Sequence, residues 1–117
     1  MESSFSMNPV FSREMLRSIP EKNRQMAINI LINNQYHMSI INAATSGSLT
    51  CILDLEPYLH RVSQQNPQSL DYVPTIEDIV EGLKQKYPGC FITYTEGWAE
   101  TSPGVKHFRK RVLVDWS

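Results

Sequence analysis

The chain has 117 residues, a mass of 13.5 kDa and a formal net charge of −1 at pH 7. Its composition, with 41% hydrophobic and 20% charged residues, is that of a single globular domain and excludes a disordered tail, a fibrous repeat and a disulfide scaffold. The near-zero charge also excludes a polycation that binds nucleic acid through its bulk charge.

The amino-terminal residues do not have the pattern of a targeting segment. Residues 1–9 contain an early acidic residue and lack the apolar stretch of a signal peptide, and no apolar run in the sequence is long enough to span a membrane. We therefore expect an intracellular protein, cytoplasmic or nuclear. Cys51 and Cys90 are expected to be buried free thiols, and the alternative is a disulfide between neighbouring strands. Residues 1–9 are predicted to form an arm, and residues 10–117 a single domain.

Helical patterns dominate the first part of the chain. Ser12 is a good N-cap for a helix over residues 13–19, and Pro20 is expected to break that helix or to restart it as a first helical residue. Beyond Pro20, apolar side chains recur at helical spacing up to Gly47, the predicted left-handed cap, and a kink or a break is expected at the weak helix formers of residues 33–35. The residues that lie near one stripe of this helical region are Met26, Ile30, His37, Ile41 and Ala44.

A strand and a second helical region follow. Residues 48–55 alternate in a way that predicts a strand, and a short helical turn over residues 58–62 then leads into a long polar loop. Thr75 is expected to cap a helix over residues 76–87, because Asp78 can complete a capping box with it.

Two more strands are predicted over residues 90–95 and 109–116, joined by a polar loop over residues 96–107. The fold class is therefore α+β, a single small domain in the order α-α-β-α-β-β with helices packed on a roughly three-stranded sheet. The last two strands should pair antiparallel, and the helical crossover after the first strand permits a parallel neighbour, so we expect a mixed sheet. The predicted core consists of Met26, Ile30, Leu31, Ile41, Leu49, Cys51, Leu53, Ile76, Ile79, Val80, Leu83, Phe91 or Ile92, Val112, Val114 and Trp116.

A long segment without formal charge is the least usual feature of the sequence. Residues 25–53 contain no Asp, Glu, Lys or Arg. Such a helix is either covered by the rest of its own domain or forms an interface, since the centres of protein interfaces are depleted of charge. We favour self-association or the docking of another protein. The candidate interaction residues are Asn29, Asn33, Asn34, Gln35, Tyr36, Met38 and Asn42.

A basic cluster near the carboxyl end indicates an alternative function, nucleic-acid binding. The cluster consists of Lys106, Phe108, Arg109, Lys110 and Arg111. Its charges could contact phosphates while the aromatic ring stacks on a base. The same residues could instead form a charged edge strand that prevents aggregation, and Glu96 and Glu100 in the neighbouring loop argue against a purely basic surface.

The sequence motifs of common catalytic sites are missing. There is no closely spaced pair of Cys or His for a metal, no glycine-rich phosphate loop and no nucleophile elbow. Asp54 and Glu56, at the end of a predicted strand, could act as an acid and a base or as metal ligands, or could cap the helical turn that follows. We expect no enzymatic activity, no metal and no cofactor.

Three segments between residues 40 and 117 resemble segments of known proteins. Residues 74–90, PTIEDIVEGLKQKYPGC, lead into a strand, and the chain closes on VLVDWS at residues 112–117. With AATSG at residues 43–47, they resemble small uncharacterised α+β proteins encoded by nucleocytoplasmic large DNA viruses. The resemblance covers residues 40–117 and includes no catalytic motif. It implies a viral α+β domain, in a virion or accessory protein that acts in the host cell or the virion.

Overall fold

The computed structural model describes residues 11–65 and 72–117, which form helices and a three-stranded sheet. The elements are α1 (Arg13–Gln35), α2 (His37–Thr45), β1 (Thr50–Asp54), α3 (Glu56–Ser63), α4 (Ile76–Lys86), β2 (Phe91–Ser102) and β3 (Val105–Asp115). The predicted α+β class is confirmed. The predicted arm, residues 1–9, lies outside the described residues, and so do residues 66–71 of the predicted polar loop.

The sheet has the strand order β1-β3-β2, and both neighbouring pairs are antiparallel. It is therefore antiparallel throughout rather than mixed as expected. β1 and β2 run in the same direction, as the helical crossover between them allows, but β3 lies between them. Cys51 and Ile92 accordingly both pair with Val114, from opposite sides of the central strand.

α1 is one continuous helix that contains Pro20. The break predicted there is wrong because the proline lies on an exposed part of the helix, where water can satisfy the carbonyl of Leu16 that has lost its amide partner. The predicted cap is confirmed, since the Ser12 hydroxyl accepts a hydrogen bond from the amide of Met15 at 3.2 Å. The interruption predicted at residues 33–35 occurs one residue later, at Tyr36 between α1 and α2.

The loop expected over residues 96–107 is instead part of a long β-hairpin. Trp98 lies opposite Phe108, and the two rings make an edge-to-face contact with centroids 5.5 Å apart. The turn between the strands consists of Pro103 and Gly104, whose φ of 77° suits glycine. The polar composition predicted a loop because an exposed ribbon lacks the alternating apolar face of a buried strand, and cross-strand pairs stabilise it nonetheless.

The core lies between the helices and one face of the sheet. It consists of Ile28, Leu31, Ile32, Tyr36, Ile40, Leu53, Leu55, Tyr58, Ile79, Leu83, Val112 and Val114. The predicted positions on α4 and β3 agree with it, but Met26 and Ile30 are 61% and 53% exposed, and Ile41 and Leu49 are exposed as well. Of the alternatives Phe91 and Ile92, it is Ile92 that packs against the core. The stripe predicted on α1 is the wrong one because this helix carries apolar residues on two faces, and periodicity alone cannot choose between them.

A close contact with α4 determines which face of α1 is buried. Ile28, Leu31 and Ile32 form this buried side, which we call the core stripe. Gly82 of α4 lies so near to it that a Cβ at that position would be 2.5 Å from Cγ2 of Ile28. A larger residue fits here only if the side chains of Ile28 and Ile32, or the helices themselves, move.

A charged network fixes the same two helices where α4 begins. Arg24 donates from Nε and Nη2 to Oδ1 of the buried Asp78, at 3.0 and 2.7 Å. Oδ2 accepts from the hydroxyl of Tyr72 and the amide of Thr75, at 2.5 and 3.0 Å. Burial opposes ionisation of Asp78, but the hydrogen bonds and the Arg24 charge outweigh it and lower its pKa to about 2.

Candidate functional site

The structure separates the candidate interaction residues that the sequence predicted. Tyr36 is 5% exposed and belongs to the core, so its side chain is not available to a partner. The exposed candidates are Asn29, Asn33, Asn34, Gln35, Met38 and Asn42. They do not share one surface, because successive residues such as those at positions 33–35 point to different sides of a helix.

α1 exposes a second apolar face on the side opposite its core stripe. Leu16, Ile19, Met26 and Ile30 are 55%, 39%, 61% and 53% exposed. Together with Asn23 they follow one another at alternating steps of three and four residues, which places them in one line along the helix. We call these residues the outer seam.

The first half of α1 extends beyond the core. We call residues 13–22 the overhang, since the first buried residue of the helix is Ile28. The charged residues of the overhang that lie in line with the core stripe are Arg13, Glu14, Arg17 and Glu21. Leu16 and Ile19 point the other way. The apolar side of the overhang therefore faces away from its own domain, and it is exposed among the residues that the structure describes.

A groove with a volume of about 790 Å³ lies beside the second half of the seam. Asn23, Met26 and Ile30 line it from α1, and Arg61 and Val62 line it from α3. Within the described part of the chain, Arg61 is the only lining residue with a formal charge. The groove thus combines an apolar surface with amide groups along its edge, as expected for a site that binds an apolar segment.

Hydrogen bonds hold the side of the groove opposite α1 in place. Tyr58 is buried and donates from its hydroxyl to the carbonyl oxygen of Pro74 at 2.6 Å. Burial raises the pKa of Tyr58, so the phenol remains a donor at neutral pH. Tyr72, which also lines the groove, is held by Asp78. Because these side chains are fixed in the free protein, a ligand would lose little free energy in ordering them.

β3 distributes the predicted nucleic-acid-binding residues between its two faces. Lys106, Phe108 and Lys110 alternate along the strand with Arg109 and Arg111, so the two sets point to opposite sides of the hairpin. The structure therefore does not bring them together into one basic surface.

Acidic residues lie near both sets of charges. Lys106 and Lys110 are each opposite a glutamate in the register of the hairpin. On the other face, Nη1 of Arg109 donates to Oδ2 of Asp54 at 3.2 Å. Opposite charges at facing positions stabilise a strand pair, which accounts for part of this cluster without any ligand.

Asp54, one of the two carboxylates considered for catalysis, makes local hydrogen bonds. Its Oδ1 accepts from the amide of Glu56 at 3.0 Å, where α3 begins, and its Oδ2 accepts from Arg109. Among the described residues, no group of His, Cys, Asp and Glu is placed to hold a metal ion.

The outer seam is the surface that sequence reasoning missed. The sequence patterns place Met26 and Ile30 in the core, and Leu16 and Ile19 in a separate short helix. The regular spacing of three and four residues from Leu16 to Ile30 could have indicated this surface. The spacing continues through Pro20, but a helix break expected at the proline divides it into two parts.

Comparison with known proteins finds no family model, no curated protein and no solved structure that matches this chain. Within residues 11–65 and 72–117, the structure has no helix with the length and apolar character needed to cross a membrane.

Proposed function

We propose that this chain is a non-enzymatic protein-interaction or assembly module, which binds a protein partner through the outer seam of α1 and the groove beside it. The observation that carries the proposal is that α1 is apolar on two opposite faces, of which residues 11–65 and 72–117 bury only one. An exposed apolar surface of this extent is a common mark of an interaction site.

The free energy available from covering the seam supports this proposal. Complete burial of a large aliphatic side chain is worth about 1.5–3 kcal/mol. Leu16, Ile19, Met26 and Ile30 are each at least 39% exposed. Covering them would therefore contribute about 4 kcal/mol in total, before any contribution from the groove.

The low charge around the seam also supports an interface. Lys22 is the only formally charged residue that lies beside the seam among the described residues of α1. Interface centres are depleted of charge because a charge that loses its water without gaining a partner is costly. The resemblance of residues 74–90 and 112–117 to viral proteins adds a finer element to the proposal, a role in a virion or as a viral accessory protein.

The test is the sedimentation of the chain in an extract of cells that produce it. We expect the wild type to sediment as a species larger than the 13.5 kDa chain. The variant Met26→Glu/Ile30→Glu should sediment as the free chain, because binding would bury two unpaired carboxylates. Both positions are exposed, so circular dichroism should show an unchanged fold.

The matched control is Thr101→Glu/Ser102→Glu, which adds the same two negative charges at exposed positions of β2. It should sediment like the wild type. If the wild type and both variants sediment alike, the outer seam is not an interface and the proposal is wrong.

The end of the hairpin supports a second candidate function, the binding of single-stranded nucleic acid. Trp98 and Phe108 are 72% and 40% exposed, and Lys106 and Lys110 lie on the same face. Bases could stack on the rings while the lysines contact phosphates. Binding at low salt that is lost on Lys106→Ala/Lys110→Ala would support this function. Failure to bind single-stranded or duplex probes at low salt would exclude it.

A further inference from the structure

The outer seam is complementary to itself, and we infer that its partner is a second copy of this chain, paired through α1 in antiparallel orientation. This inference rests on the proposed function, because it names the occupant of the same surface.

The pattern of apolar and polar positions along the seam is the same when it is read from either end. From either end it has two apolar residues, an asparagine and two apolar residues, with Asn23 at the centre. When a second α1 lies antiparallel across it, Leu16 and Ile19 of one copy meet Met26 and Ile30 of the other, and the two Asn23 amides lie near the two-fold axis. An amide can both donate to and accept from an identical amide, and one such asparagine favours a single register.

The overhang and the groove are complementary in antiparallel pairing. The overhang of one copy then lies along the second half of the other α1, where Met26 and Ile30 line the groove and Val62 faces it from α3. Each copy covers the groove of the other. In parallel pairing, the overhangs would contact each other, and neither overhang would reach a groove. Antiparallel pairing is therefore the arrangement that brings the apolar side of each overhang to the groove of the other copy.

The contact would be large enough for a specific dimer. α1 has 23 residues, so it is about 35 Å long and about 11 Å across. Covering half of its circumference over that length buries about 600 Å² on each copy, and about 1,200 Å² in both copies is the lower limit for stable interfaces. Contacts with α3 would add to this area.

The charge distribution opposes this pairing at only one position among the described residues of α1. Lys22 lies beside Asn23 and would approach its counterpart near the two-fold axis. Added salt screens such a repulsion, so the dimer should be unchanged or slightly stronger at high ionic strength. A contact held together by ion pairs would show the opposite dependence.

The test is cross-linking of the full-length chain with a short bis-maleimide, using the variants Leu16→Cys and Ile30→Cys. Each variant is treated with the cross-linker alone, and the two variants are then treated together as an equimolar mixture. The wild type measures the cross-linking that arises from Cys51 and Cys90, which are free thiols. We expect the mixture to give roughly tenfold more linked dimer than either variant alone, because antiparallel pairing holds position 16 of one copy beside position 30 of the other.

Two outcomes would overturn the inference. If Leu16→Cys links to itself and mixing gives no gain, the helices pair in parallel. If all samples link only as much as the wild type, a second copy is not the partner. In that case the sedimentation of Met26→Glu/Ile30→Glu in cell extract still decides the proposed function separately, because a different protein partner would be lost from that variant.

Discussion

Gly82 of α4 lies directly against Ile28 of α1, with no room between the two for even a methyl group. Four residues earlier on each helix, Arg24 and Asp78 form an ion pair in which Nε and Nη2 of the arginine both donate to Oδ1 of the aspartate. Both contacts turn the same side of α1 toward α4. They therefore leave the outer seam, on the opposite side of the helix, facing outward.

Replacing Gly82 by Ala should destabilise the fold. The new Cβ would lie 2.5 Å from Ile28 and 2.8 Å from Ile32, and overpacking of this kind costs about 1–3 kcal/mol. Since alanine also gains about 1 kcal/mol over glycine in a helix, the expected net loss is up to about 2 kcal/mol. Urea denaturation measures the difference. The control is Gly97→Ala on β2, where the Cβ meets open space, and it should be neutral or slightly stabilising. Equal stability of the two variants would contradict the close contact.

Asp78 should make the stability depend on pH in the acid range. Its pKa is lowered to about 2 in the folded protein, so its contribution is complete above about pH 4 and is lost as the pH falls toward 2. The loss should be about 2 kcal/mol. The unfolding free energies of the wild type and Asp78→Asn should therefore differ at pH 5 and converge near pH 2. A difference that stays constant across this range would show that the ionised carboxylate is not the stabilising form.

Tyr36 should tolerate the loss of its hydroxyl. The oxygen is buried and has no hydrogen-bond partner among the described residues, and burial raises the pKa of this group to about 12. Tyr36→Phe removes an unsatisfied polar atom and keeps the ring, so stability should be unchanged or should rise by about 1 kcal/mol. A loss of more than about 1 kcal/mol in urea denaturation would mean that the hydroxyl is hydrogen-bonded.

The two tryptophans should differ in their contribution to stability. Trp98 is 72% exposed on the hairpin, whereas Trp116 packs against the core. Trp98→Ala should cost less than about 1 kcal/mol, mainly the contact with Phe108. Trp116→Ala should cost about 2 kcal/mol or more. Thermal unfolding of both variants measures this, and a larger loss at Trp98 would contradict the position of the hairpin outside the core.

Local signals in the sequence predicted the amino-terminal caps of α1 and α4 correctly. Thr75 and Asp78 form the predicted capping box, and Ser12 caps α1 as expected. These contacts join residues three positions apart, so they depend little on the rest of the fold. The interaction surface could not be predicted in the same way. The face of α1 that is buried depends on Gly82 and Asp78, which are distant in sequence, and periodicity gives no information about such contacts.

The solution mass of the purified chain, measured by light scattering at low and high salt, is the most direct test of the interface on α1. We predict a dimer of twice the 13.5 kDa chain mass that persists at high salt, and a monomer for Ile30→Glu. A wild-type chain that remains at 13.5 kDa at every protein and salt concentration would contradict pairing through the outer seam.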